Sequence, residues 1–554
     1  MPPDLDTLTP DLPRPASGDG ARIGVPSVAV APEAERELTD RQVRVLLTSV
    51  LVVATCGLLY ELIVGTLSSY LLGNSTLHFS LTIGGFMTAM GVGSLVSRRI
   101  HGDPLVWFVG VELAIGVAGG CSAAALYWAY SYAPLAYHAV MAGAVLVIGV
   151  LVGLEIPLVA RVLDMAGRQR RDTVANVLAV DYLGALLAAL AFPLVLLPTL
   201  GVLRTAFVTG AINLGVVVAC LWAFRKMLRR QRSYRPLALA TLALGLPLAA
   251  GAVGAGWLAD VFEAKLYRAP ILFTEQSPYQ RLVVTRSRQG DTRLFLDGAL
   301  QFATSDEYRY HEALVHPAMA LAARRQRVLI LGGGDGLATR EVLKWPGVES
   351  VTLVDLDPAV TDLAQRHAAI LEANQGALSD PRVEIINADA YRFIEDSPLA
   401  FDVVLVDLPD PNHESLAKLY SRPFYELLRQ RLGAGAMVSV QSTSPYFAPE
   451  AFWSIVATAE AADLHPLPYH IYVPSFGDWG FFLGSTHAVN PERFAARLAP
   501  LASAAEPLRF LTPEAFAAAQ TFAPDLTRPA GVEVNTLDDP VLLDYYQKGW
   551  ARWQ

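Results

Sequence analysis

A glycine-rich turn that contains a carboxylate is the first feature of this sequence with a chemical implication. The turn spans residues 332–336 and follows the apolar run Val328–Leu331, which predicts a short buried strand. A helix-like segment, Leu337–Lys344, comes next, and a second strand ends at Asp355. Nucleotide-binding folds place a carboxylate on the ribose about twenty residues after the glycines. A glycine-rich turn alone is also typical of a tight βα connection, but the spacing to Asp355 favours a nucleoside site.

Asp335 narrows the choice of ligand because it lies inside the glycine turn. A carboxylate at this position would repel a pyrophosphate, which argues against a dinucleotide. A cationic ligand would be attracted instead. The sequence therefore favours an adenosyl sulfonium that carries a free amine over NAD.

Carboxylates also follow the later strand-like runs. Asp389 follows the third run, and Asp407 and Asp410 follow the fourth. The carboxyl ends of parallel strands meet at one edge of a sheet, so these residues are expected to form a ring with Asp335 and Asp355. A lone Asp after a strand is often a helix cap. A whole ring is costly as structure, since like charges repel and raise each other's pKa, and it indicates polycationic ligands.

The C-terminal half resembles the spermidine/spermine synthases, the polyamine aminopropyltransferases, over about residues 275–484. The matching positions are Tyr279-Gln280, Asp297-Gly298, Gln301, Tyr310-His311-Glu312, Gly332–Gly336, Asp355, Asp389, Asp407 and Asp410-Pro411. So many matches in one order are more specific than any single motif. The resemblance implies transfer of an aminopropyl group from decarboxylated S-adenosylmethionine to an amine such as putrescine, giving spermidine and releasing methylthioadenosine.

The resemblance also implies a role for each matching position. On the donor side these are Gln280 and Asp355 at the ribose, Asp389 and Ala390 at the adenine, Gln301 and Gly332 along the nucleoside, and Asp335 at the aminopropyl amine. On the acceptor side they are Tyr310 and Asp407, which hold and deprotonate the attacking amine, and His311 and Asp410, which place the amine chain.

The implied reaction is a displacement at the carbon next to a sulfonium. The sulfonium is a good leaving group, so we expect no metal or redox cofactor, with the decarboxylated donor acting as co-substrate. An amine with a pKa near ~10.4 must lose a proton before it attacks. A desolvated Asp407 beside Tyr310 is suited to accept that proton. Asp335 would repel the carboxylate of ordinary S-adenosylmethionine, which favours the decarboxylated form.

Two departures from the family pattern leave the acceptor amine open. Soluble members typically have Asp-Ser-Ser/Thr-Asp-Pro, whereas this chain has Leu408 and Pro409 between the two acids, so the gate over the amine differs. A distal tyrosine expected near the end of the groove is replaced by Phe476. Tyr472 or Trp479 would have to substitute for it, the latter by cation–π contact.

Composition divides the chain into an apolar half and a water-soluble half. Hydrophobic residues make up 53% of the 554 residues, the formal net charge is −9, and the apolar excess lies in residues 45–258. The acidic balance argues against a nucleic-acid partner. Cys56, Cys121 and Cys220 lie in apolar stretches and have neither disulfide-framework nor metal-ligand spacing.

Seven apolar segments are each near the ~20 residues that a membrane-spanning helix needs. They are roughly 45–68, 79–97, 104–129, 137–160, 174–198, 203–224 and 236–258. Arginine and lysine concentrate on alternate connections, which predicts a cytoplasmic N-terminus in a multi-pass cell-membrane protein. Seven spans would place the C-terminal domain outside, whereas an adenosyl-sulfonium donor is made in the cytosol. The side of the membrane that carries the catalytic domain therefore stays open.

Carboxylates inside the apolar segments need an explanation, because charge in a bilayer is costly. They are Glu61, Glu112, Glu155 and Asp181. One interpretation is that they are packing groups with hydrogen-bonded polar neighbours. The other is a path for cations or polyamines through the bundle.

Composition and the predicted secondary structure divide the chain into five regions, which together must position the site residues. They are a disordered tail (1–40), a transmembrane helical domain of about seven spans (41–260), a β-hairpin subdomain (263–320), a Rossmann-like catalytic domain (321–490) and a C-terminal extension without recognised chemistry (491–554). Alternating helix-like and strand-like segments predict a doubly wound parallel sheet of the class I methyltransferase type.

Two other functions remain open at this point. One is a methyltransferase that uses intact S-adenosylmethionine, against which Asp335 and the pair Asp407 and Asp410 argue. The other is a polyamine transporter or sensor, which the intramembrane acids favour. The expected partners are an amine, the decarboxylated donor and a lipid bilayer, and the resemblance adds a homodimer or homotetramer.

Overall fold

The computed structural model describes residues 38–72, 75–164, 170–267, 269–503 and 507–553. The predicted disordered tail, 1–40, lies almost wholly outside the described residues. The chain forms a helical bundle followed by an α/β part with two sheets. The helices of the bundle are α1 (Asp40–Leu72), α2 (Ser75–Val96), α3 (Pro104–Tyr132), α4 (Tyr137–Asp164), α5 (Arg170–Ala191), α6 (Leu197–Ala223), α7 (Arg225–Arg230) and α8 (Tyr234–Tyr267).

Small residues allow the bundle helices to pack closely, as is common between helices in apolar surroundings. A Cβ on Gly153 of α4 would lie 2.1 Å from the carbonyl oxygen of Met90 on α2. A Cβ on Gly119 of α3 would lie 2.3 Å from the ring of Tyr60 on α1. These glycines are therefore needed for the observed helix separations.

Six helical stretches are long and apolar enough to cross a membrane, by length and composition, among the described residues. Seven apolar segments were predicted, and six continuous apolar stretches are found in this described part of the chain. The fifth and sixth predicted segments form one stretch, Ala175–Ala223, of 49 residues. A π-helical turn, Phe192–Leu196, joins α5 to α6 within this stretch, so no loop separates the two helices.

The long stretch reverses direction at Gly201, whose backbone is non-helical at φ 69° and ψ 172°. A Cβ on Gly184 of α5 would lie 2.6 Å from the carbonyl oxygen of Leu51. Cys220 of α6 contacts Ser49, 3.6 Å between Sγ and Oγ. Both halves therefore pack beside the same part of α1, and the polypeptide passes along the bundle seven times.

The two ends of the bundle have different neighbours. At one end Gln42 donates to the carbonyl of Ala223 at 3.2 Å, and Arg161 donates to the carbonyl of Ile100 at 3.0 Å. At the other end the hydroxyls of Tyr70 and Tyr267 lie 3.3 Å apart, and the Tyr267 ring packs on a residue of the α/β part. The α/β part therefore sits against the end opposite to the start of α1.

A four-stranded antiparallel sheet follows the bundle. Its strands, in spatial order, are β1 (Ile271–Gln276), β2 (Arg281–Arg286), β3 (Thr292–Leu296) and β4 (Ala299–Ala303). The predicted hairpin corresponds to β2 and β3, and the outer strands β1 and β4 were not predicted. Gly290, with φ +88°, makes the turn between the two central strands.

The second sheet has seven strands in the order β10-β11-β9-β8-β5-β6-β7. They are β5 (Arg327–Gly332), β6 (Ser350–Asp355), β7 (Val383–Asn387), β8 (Phe401–Asp407), β9 (Leu432–Gln441), β10 (Leu467–Val473) and β11 (Gly477–Gly484). Strands β5 to β9 are parallel, whereas β11 pairs antiparallel with β9 and with β10. The sheet is therefore mixed, which corrects the prediction of a parallel sheet. The short turn between β10 and β11 permits only an antiparallel pair.

Helices cover both faces of this sheet, as its buried strands require. They are α9 (Glu307–Leu321), α10 (Leu337–Leu343), α11 (Pro358–Arg366), α12 (Ala368–Asn374), α13 (Ala390–Asp396), α14 (Glu414–Ala417), α15 (Arg422–Gln430), α16 (Pro449–Ala461), α17 (Phe494–Leu498), α18 (Pro513–Ala519) and α19 (Val541–Ala551). Separate apolar clusters lie on the two faces. The fold thus presents the carboxyl ends of the parallel strands at one edge.

Candidate active site

The glycine turn brings two parallel strand ends into contact. Gly332 at the end of β5 pairs in register with Asp407 at the end of β8. The Gly333 amide donates to the Asp407 carbonyl at 3.0 Å. A Cβ on Gly332, whose φ is +79°, would lie 2.1 Å from that carbonyl oxygen. Glycine is required here because it tolerates both the positive φ and the close approach.

Asp355 at the end of β6 turns back toward the same turn. One of its carboxylate oxygens accepts from the Gly334 amide and the other from the Asp357 amide, both at 3.0 Å. Burial raises its pKa to about 6 despite these hydrogen bonds. A carboxylate fixed beside a glycine turn is suited to accept hydrogen bonds from sugar hydroxyls.

Tyr310 and Asp407 form the central pair of the site. The Tyr310 hydroxyl donates to Asp407 Oδ1 at 2.7 Å. The Tyr310 side chain is buried and Asp407 is half-buried, and desolvation raises the pKa of Asp407 above its usual value. A buried carboxylate with a raised pKa is a stronger proton acceptor than one in water.

Asp335 lies within the turn and faces the same region. Its Oδ1 accepts from the amide of Leu337, which anchors the carboxylate at the start of α10. Burial raises the pKa of Asp335 to about 6; the charge of His311 lowers it and that of Asp407 raises it further.

Charged side chains linked by hydrogen bonds lie next to these acids. His311 Nδ1 lies 2.9 Å from Glu307 Oε2, and Arg340 donates to the same oxygen at 2.9 Å. Burial alone would lower the pKa of His311, but Glu307, Asp335 and Asp407 together raise it to about 9. The imidazole is therefore cationic near neutral pH and offsets part of the surrounding negative charge.

Asp410 also lines the cavity. Its Oδ2 accepts from the Thr443 hydroxyl at 3.0 Å. Its Oδ1 is buried and has no hydrogen-bond partner in the described part of the chain. Burial raises the pKa of this carboxyl to about 6, and the hydroxyls of Thr443 and Tyr546 lower it in part. The free oxygen is placed to accept a hydrogen bond from a ligand.

Glutamine side chains reach the cavity from the four-stranded sheet. Gln280 Nε2 donates to Asp357 Oδ2 at 3.1 Å, and Gln301 Nε2 donates to the carbonyl of Ala299 at 3.2 Å. Asp357 also accepts from Ser277 at 2.6 Å. The small sheet therefore closes one side of the nucleoside region.

Asp389 has a structural role as well as a place at the cavity. It caps α13 by accepting from the Tyr391 amide at 2.8 Å, and it pairs with Lys418 at 2.6 Å. Its neighbour Ala390 lies beside it in the cavity wall. Asp389 is therefore a helix cap, which is the structural role that an Asp after a strand can have.

The distal end of the cavity is aromatic. The Phe476 ring lies 6.0 Å from the Tyr310 ring and 5.1 Å from the Trp479 ring. Trp479 Nε1 is buried and has no hydrogen-bond partner among the described residues. Tyr472 is 60% exposed and is absent from the cavity wall. Trp479 is therefore the better placed of the two predicted substitutes for the missing tyrosine.

One cavity of about 1260 Å³ unites these regions. Every residue that the sequence predicted for the site lies in its wall: Gln280, Gln301, Tyr310, His311, Gly332, Asp335, Asp355, Asp389, Ala390, Asp407, Asp410, Phe476 and Trp479. The arrangement combines a nucleoside-sized groove, acids suited to protonated amines and a buried proton acceptor between them.

Comparisons with known proteins agree with this geometry. Residues 307–493 match the spermine/spermidine synthase domain. Polyamine aminopropyltransferase 1 of Ralstonia nicotianae is 46% identical over 94% of this chain and 97% of its own length. The polyamine aminopropyltransferase of Leptospira interrogans is 42% identical over 91% of this chain and 98% of its own length.

The chain belongs to the polyamine aminopropyltransferases. Because the alignments cover more than nine-tenths of the chain, they include most of the helical bundle as well as the catalytic part. The crystal structure of spermidine synthase from Thermotoga maritima is 24% identical and covers 47% of this chain and 87% of that one, with a TM-score of 0.42.

Sequence reasoning missed several walls of this aminopropyltransferase's cavity. The C-terminal helix α19 contributes Tyr546, whose hydroxyl interacts with Asp410, and Trp550. Residues 491–554, in which no chemistry was recognised from the sequence, thus contribute to the cavity wall. The bundle contributes Thr66, Ser69 and other residues from its nearer end. No local motif marks these positions, because they reach the site only through tertiary packing.

Proposed function

We propose that this aminopropyltransferase moves the aminopropyl group of decarboxylated S-adenosylmethionine to putrescine or a similar diamine, giving spermidine and methylthioadenosine. The observation that carries the proposal is the Tyr310–Asp407 hydrogen bond of 2.7 Å in the cavity that also contains Asp335 and Asp410. The cavity thus combines a proton acceptor with one carboxylate suited to the donor's amine and another suited to the acceptor's far amine.

The donor is held along the glycine turn. Asp355 and Gln280 bind the ribose, and Gln301, Asp389 and Ala390 line the rest of the nucleoside. Asp335 binds the aminopropyl ammonium, and its negative charge disfavours intact S-adenosylmethionine, which has a carboxylate at this end. A methyltransferase would need to bind that carboxylate, so the geometry disfavours the methyltransferase alternative.

The acceptor is activated by Asp407. Tyr310 orients the carboxylate, and Asp407 takes a proton from the attacking ammonium. The neutral nitrogen then forms a bond to the carbon next to the sulfonium, the carbon–sulfur bond breaks, and its electron pair stays on the sulfur of methylthioadenosine. Positioning and proton removal supply the catalysis because the leaving group is already activated.

The far end of the acceptor lies against Asp410, Trp479 and Phe476. The free Oδ1 of Asp410 accepts a hydrogen bond from the amine chain, and the Trp479 ring contributes a cation–π contact. For His311, which was predicted to place the amine chain, we propose a supporting role. Its positive charge would repel an amine, so it supports the acids instead of placing the amine chain.

The helical bundle is proposed to cross the cell membrane seven times, with lipid as its partner. Its length and composition support this placement, and so do the arginines and lysines at the end of the bundle that carries the start of α1. In this arrangement the bundle (41–260), the small sheet (263–320), the catalytic domain (321–490) and the C-terminal extension (491–554) are successive units. Self-association as a homodimer or homotetramer stays a prediction.

The proposed reaction is tested with purified full-length protein in detergent. Putrescine is supplied with either decarboxylated or intact S-adenosylmethionine, and products are followed by mass spectrometry. Spermidine and methylthioadenosine are expected only with the decarboxylated donor, and the Asp407→Asn variant should lose them. A methylated amine from the intact donor would contradict the proposal, as would the absence of product with every diamine tried.

A further inference from the structure

Polar side chains from separate helices meet at one depth inside the bundle. Glu112 of α3 is fully buried. Asn213 of α6 donates to the Glu112 carbonyl oxygen at 2.7 Å and to its Oε2 at 3.2 Å. The two helices are thereby joined at this level by a polar contact in an otherwise apolar interior.

The depth of these groups in the bundle can be measured along helix α1. Gly119 packs on Tyr60, and Glu112 lies seven residues before Gly119 on a helix parallel to α1. At 1.5 Å per residue, Glu112 lies about 10 Å from Tyr60 toward the start of α1, near the level of Val53.

Glu155 of α4 lies in the same layer. Val152 packs on Gly57, 3.4 Å from an ideal Cβ, and α4 runs toward the start of α1. Glu155 is therefore about 4.5 Å beyond Gly57 in that direction, at the level of Ala54. Glu155 is within electrostatic range of both Glu112 and Asp181. We call the set Glu112, Glu155 and Asn213 the acidic layer.

The acidic layer contains polar atoms whose hydrogen-bonding capacity is unused. Glu112 Oε1, Glu155 Oε1 and Asn213 Oδ1 are buried and have no hydrogen-bond partner in the described part of the chain. The Tyr60 hydroxyl, closer to the catalytic part, is in the same condition. Buried acceptors without donors cost stability, so a ligand rich in N–H donors would be favoured at this depth.

Polar side chains also lie between this layer and the catalytic cavity, and at the cavity floor. Thr66 and Ser69 of α1 line the cavity, together with residues at the near ends of α2 and α3 and at the turn around Gly201. Glu61, which is buried, lies about 8 Å from Thr66 toward the acidic layer. Acidic side chains therefore occur at two depths below the cavity floor.

We propose that the bundle binds protonated di- or polyamines at the acidic layer and transports them to or from the catalytic cavity. The ammonium groups of such amines supply the N–H donors that the layer lacks, and the proposed reaction consumes and produces cations of this class. No group of three or more His, Cys, Asp or Glu suited to a metal ion occurs among the described residues, which favours an organic cation. The proposal rests on the membrane placement proposed above.

The test uses the full-length chain reconstituted in liposomes without any aminopropyl donor. Uptake of radiolabelled putrescine is measured against protein-free liposomes, with unlabelled spermidine as competitor. Saturable uptake that spermidine competes is expected. Glu112→Gln and Glu155→Gln should each reduce it by about tenfold or more, since each loses a charge-assisted contact with the ammonium.

Matched controls separate a transport defect from a folding defect. Asp260→Asn removes an exposed carboxylate from α8 and should leave uptake unchanged. Each preparation is also opened with detergent and assayed for methylthioadenosine production, which reports whether the catalytic part is intact. If a glutamine variant fails to assemble, Asn213→Ala is a second substitution that alters the same layer.

The outcomes are distinct. Wild-type protein with full synthase activity but no putrescine uptake would overturn the transport proposal and leave the proposed reaction standing. Uptake that survives both glutamine substitutions would overturn the acidic layer as the site. Glutamine keeps the size and hydrogen bonding of a protonated carboxyl group but has no negative charge, so unchanged uptake would mean that the two carboxylates have only a structural role. Uptake without synthase activity would instead contradict the proposed reaction.

Discussion

Asp407 and Tyr310 show how a weak base becomes useful at a buried position. An aspartate in water is too acidic to take a proton efficiently from an ammonium, because its pKa is near 3.9. Desolvation in the cavity raises the pKa of Asp407, and the Tyr310 hydroxyl fixes one of its oxygens at 2.7 Å. The second oxygen is left to meet the nucleophile.

Replacing the carboxylate by an amide tests this role. Asp407→Asn keeps the size of the side chain but cannot accept the proton, so kcat should fall by about 10³-fold. Tyr310→Phe, which removes only the hydrogen bond, should cost about tenfold. Steady-state kinetics with saturating donor gives both values, and Asp362→Asn, on the outer face of α11, is the control. A loss smaller than tenfold in Asp407→Asn would contradict a base at this position.

The acids proposed to bind the cationic substrates should set the dependence of activity on pH. Burial raises the pKa values of Asp335, Asp355 and Asp410 to about 6. These groups are ionised above that pH and take up protons as the pH falls through it. We therefore expect kcat/KM for the donor to decline below about pH 6, because a neutral Asp335 no longer attracts the ammonium.

The Asp335→Asn variant isolates the donor part of this profile. It should lower kcat/KM for the decarboxylated donor by about tenfold at pH 7.5 and weaken discrimination against intact S-adenosylmethionine. Profiles measured from pH 5 to pH 9 at subsaturating donor provide the comparison. An acid limb that is identical in wild type and variant would show that another group controls donor binding.

At the scale of elements, the glycine turn and the strand ends were predictable, because their order along the chain is the order of the chemistry. Asp355 and Asp407 follow apolar strands, and parallel strands end at a common edge. The antiparallel strands β10 and β11 and the outer strands of the small sheet were missed, since short alternating runs have weak signals. Tyr546 could not be found, because its contact with Asp410 joins positions far apart in the sequence.

Helix α19 forms part of the cavity wall near Asp410. Its Gly549 packs against Ala448, where an added Cβ would lie 2.7 Å from the Cα of Ala448. The Trp550 ring stacks on Phe447 with a centroid distance of 4.9 Å. These contacts hold Tyr546 near Asp410, so α19 shapes the cavity at the residue proposed to bind the acceptor.

Removing the Tyr546 hydroxyl should therefore affect the acceptor more than the donor. Tyr546→Phe is expected to raise KM for the diamine by about tenfold while KM for the donor changes little, because Asp410 loses a hydrogen bond. Tyr545→Phe is a matched control on the same helix, where the hydroxyl lies 3.5 Å from Glu533. Equal effects of the two substitutions on both KM values would indicate a general role of α19 in folding.

At the scale of the whole molecule, the passes of the bundle and the distribution of charge lead to the same arrangement. Seven passes place the start of α1 and the catalytic part at opposite ends. The arginines and lysines that follow α2, α4 and α6 lie at the end with the start of α1, and Arg161 bonds the carbonyl of Ile100 there. In the proposed membrane placement, the positive-inside rule assigns that end to the cytoplasm. This placement would put the catalytic cavity on the outer side, where the transport proposed above would give it access to cytosolic amines.

Labelling of single cysteines tests this arrangement in intact cells. The native cysteines, Cys56, Cys121 and Cys220, are first replaced by alanine. Gln289→Cys then reports the catalytic side, and Arg230→Cys reports the basic end; both positions are exposed. A membrane-impermeant maleimide should label Gln289→Cys in intact cells and Arg230→Cys only after permeabilisation. Labelling of both positions under the same condition would mean that α8, the helix between them, does not cross the membrane. Protection of the catalytic side alone would reverse the orientation and place donor supply and catalysis in the same compartment.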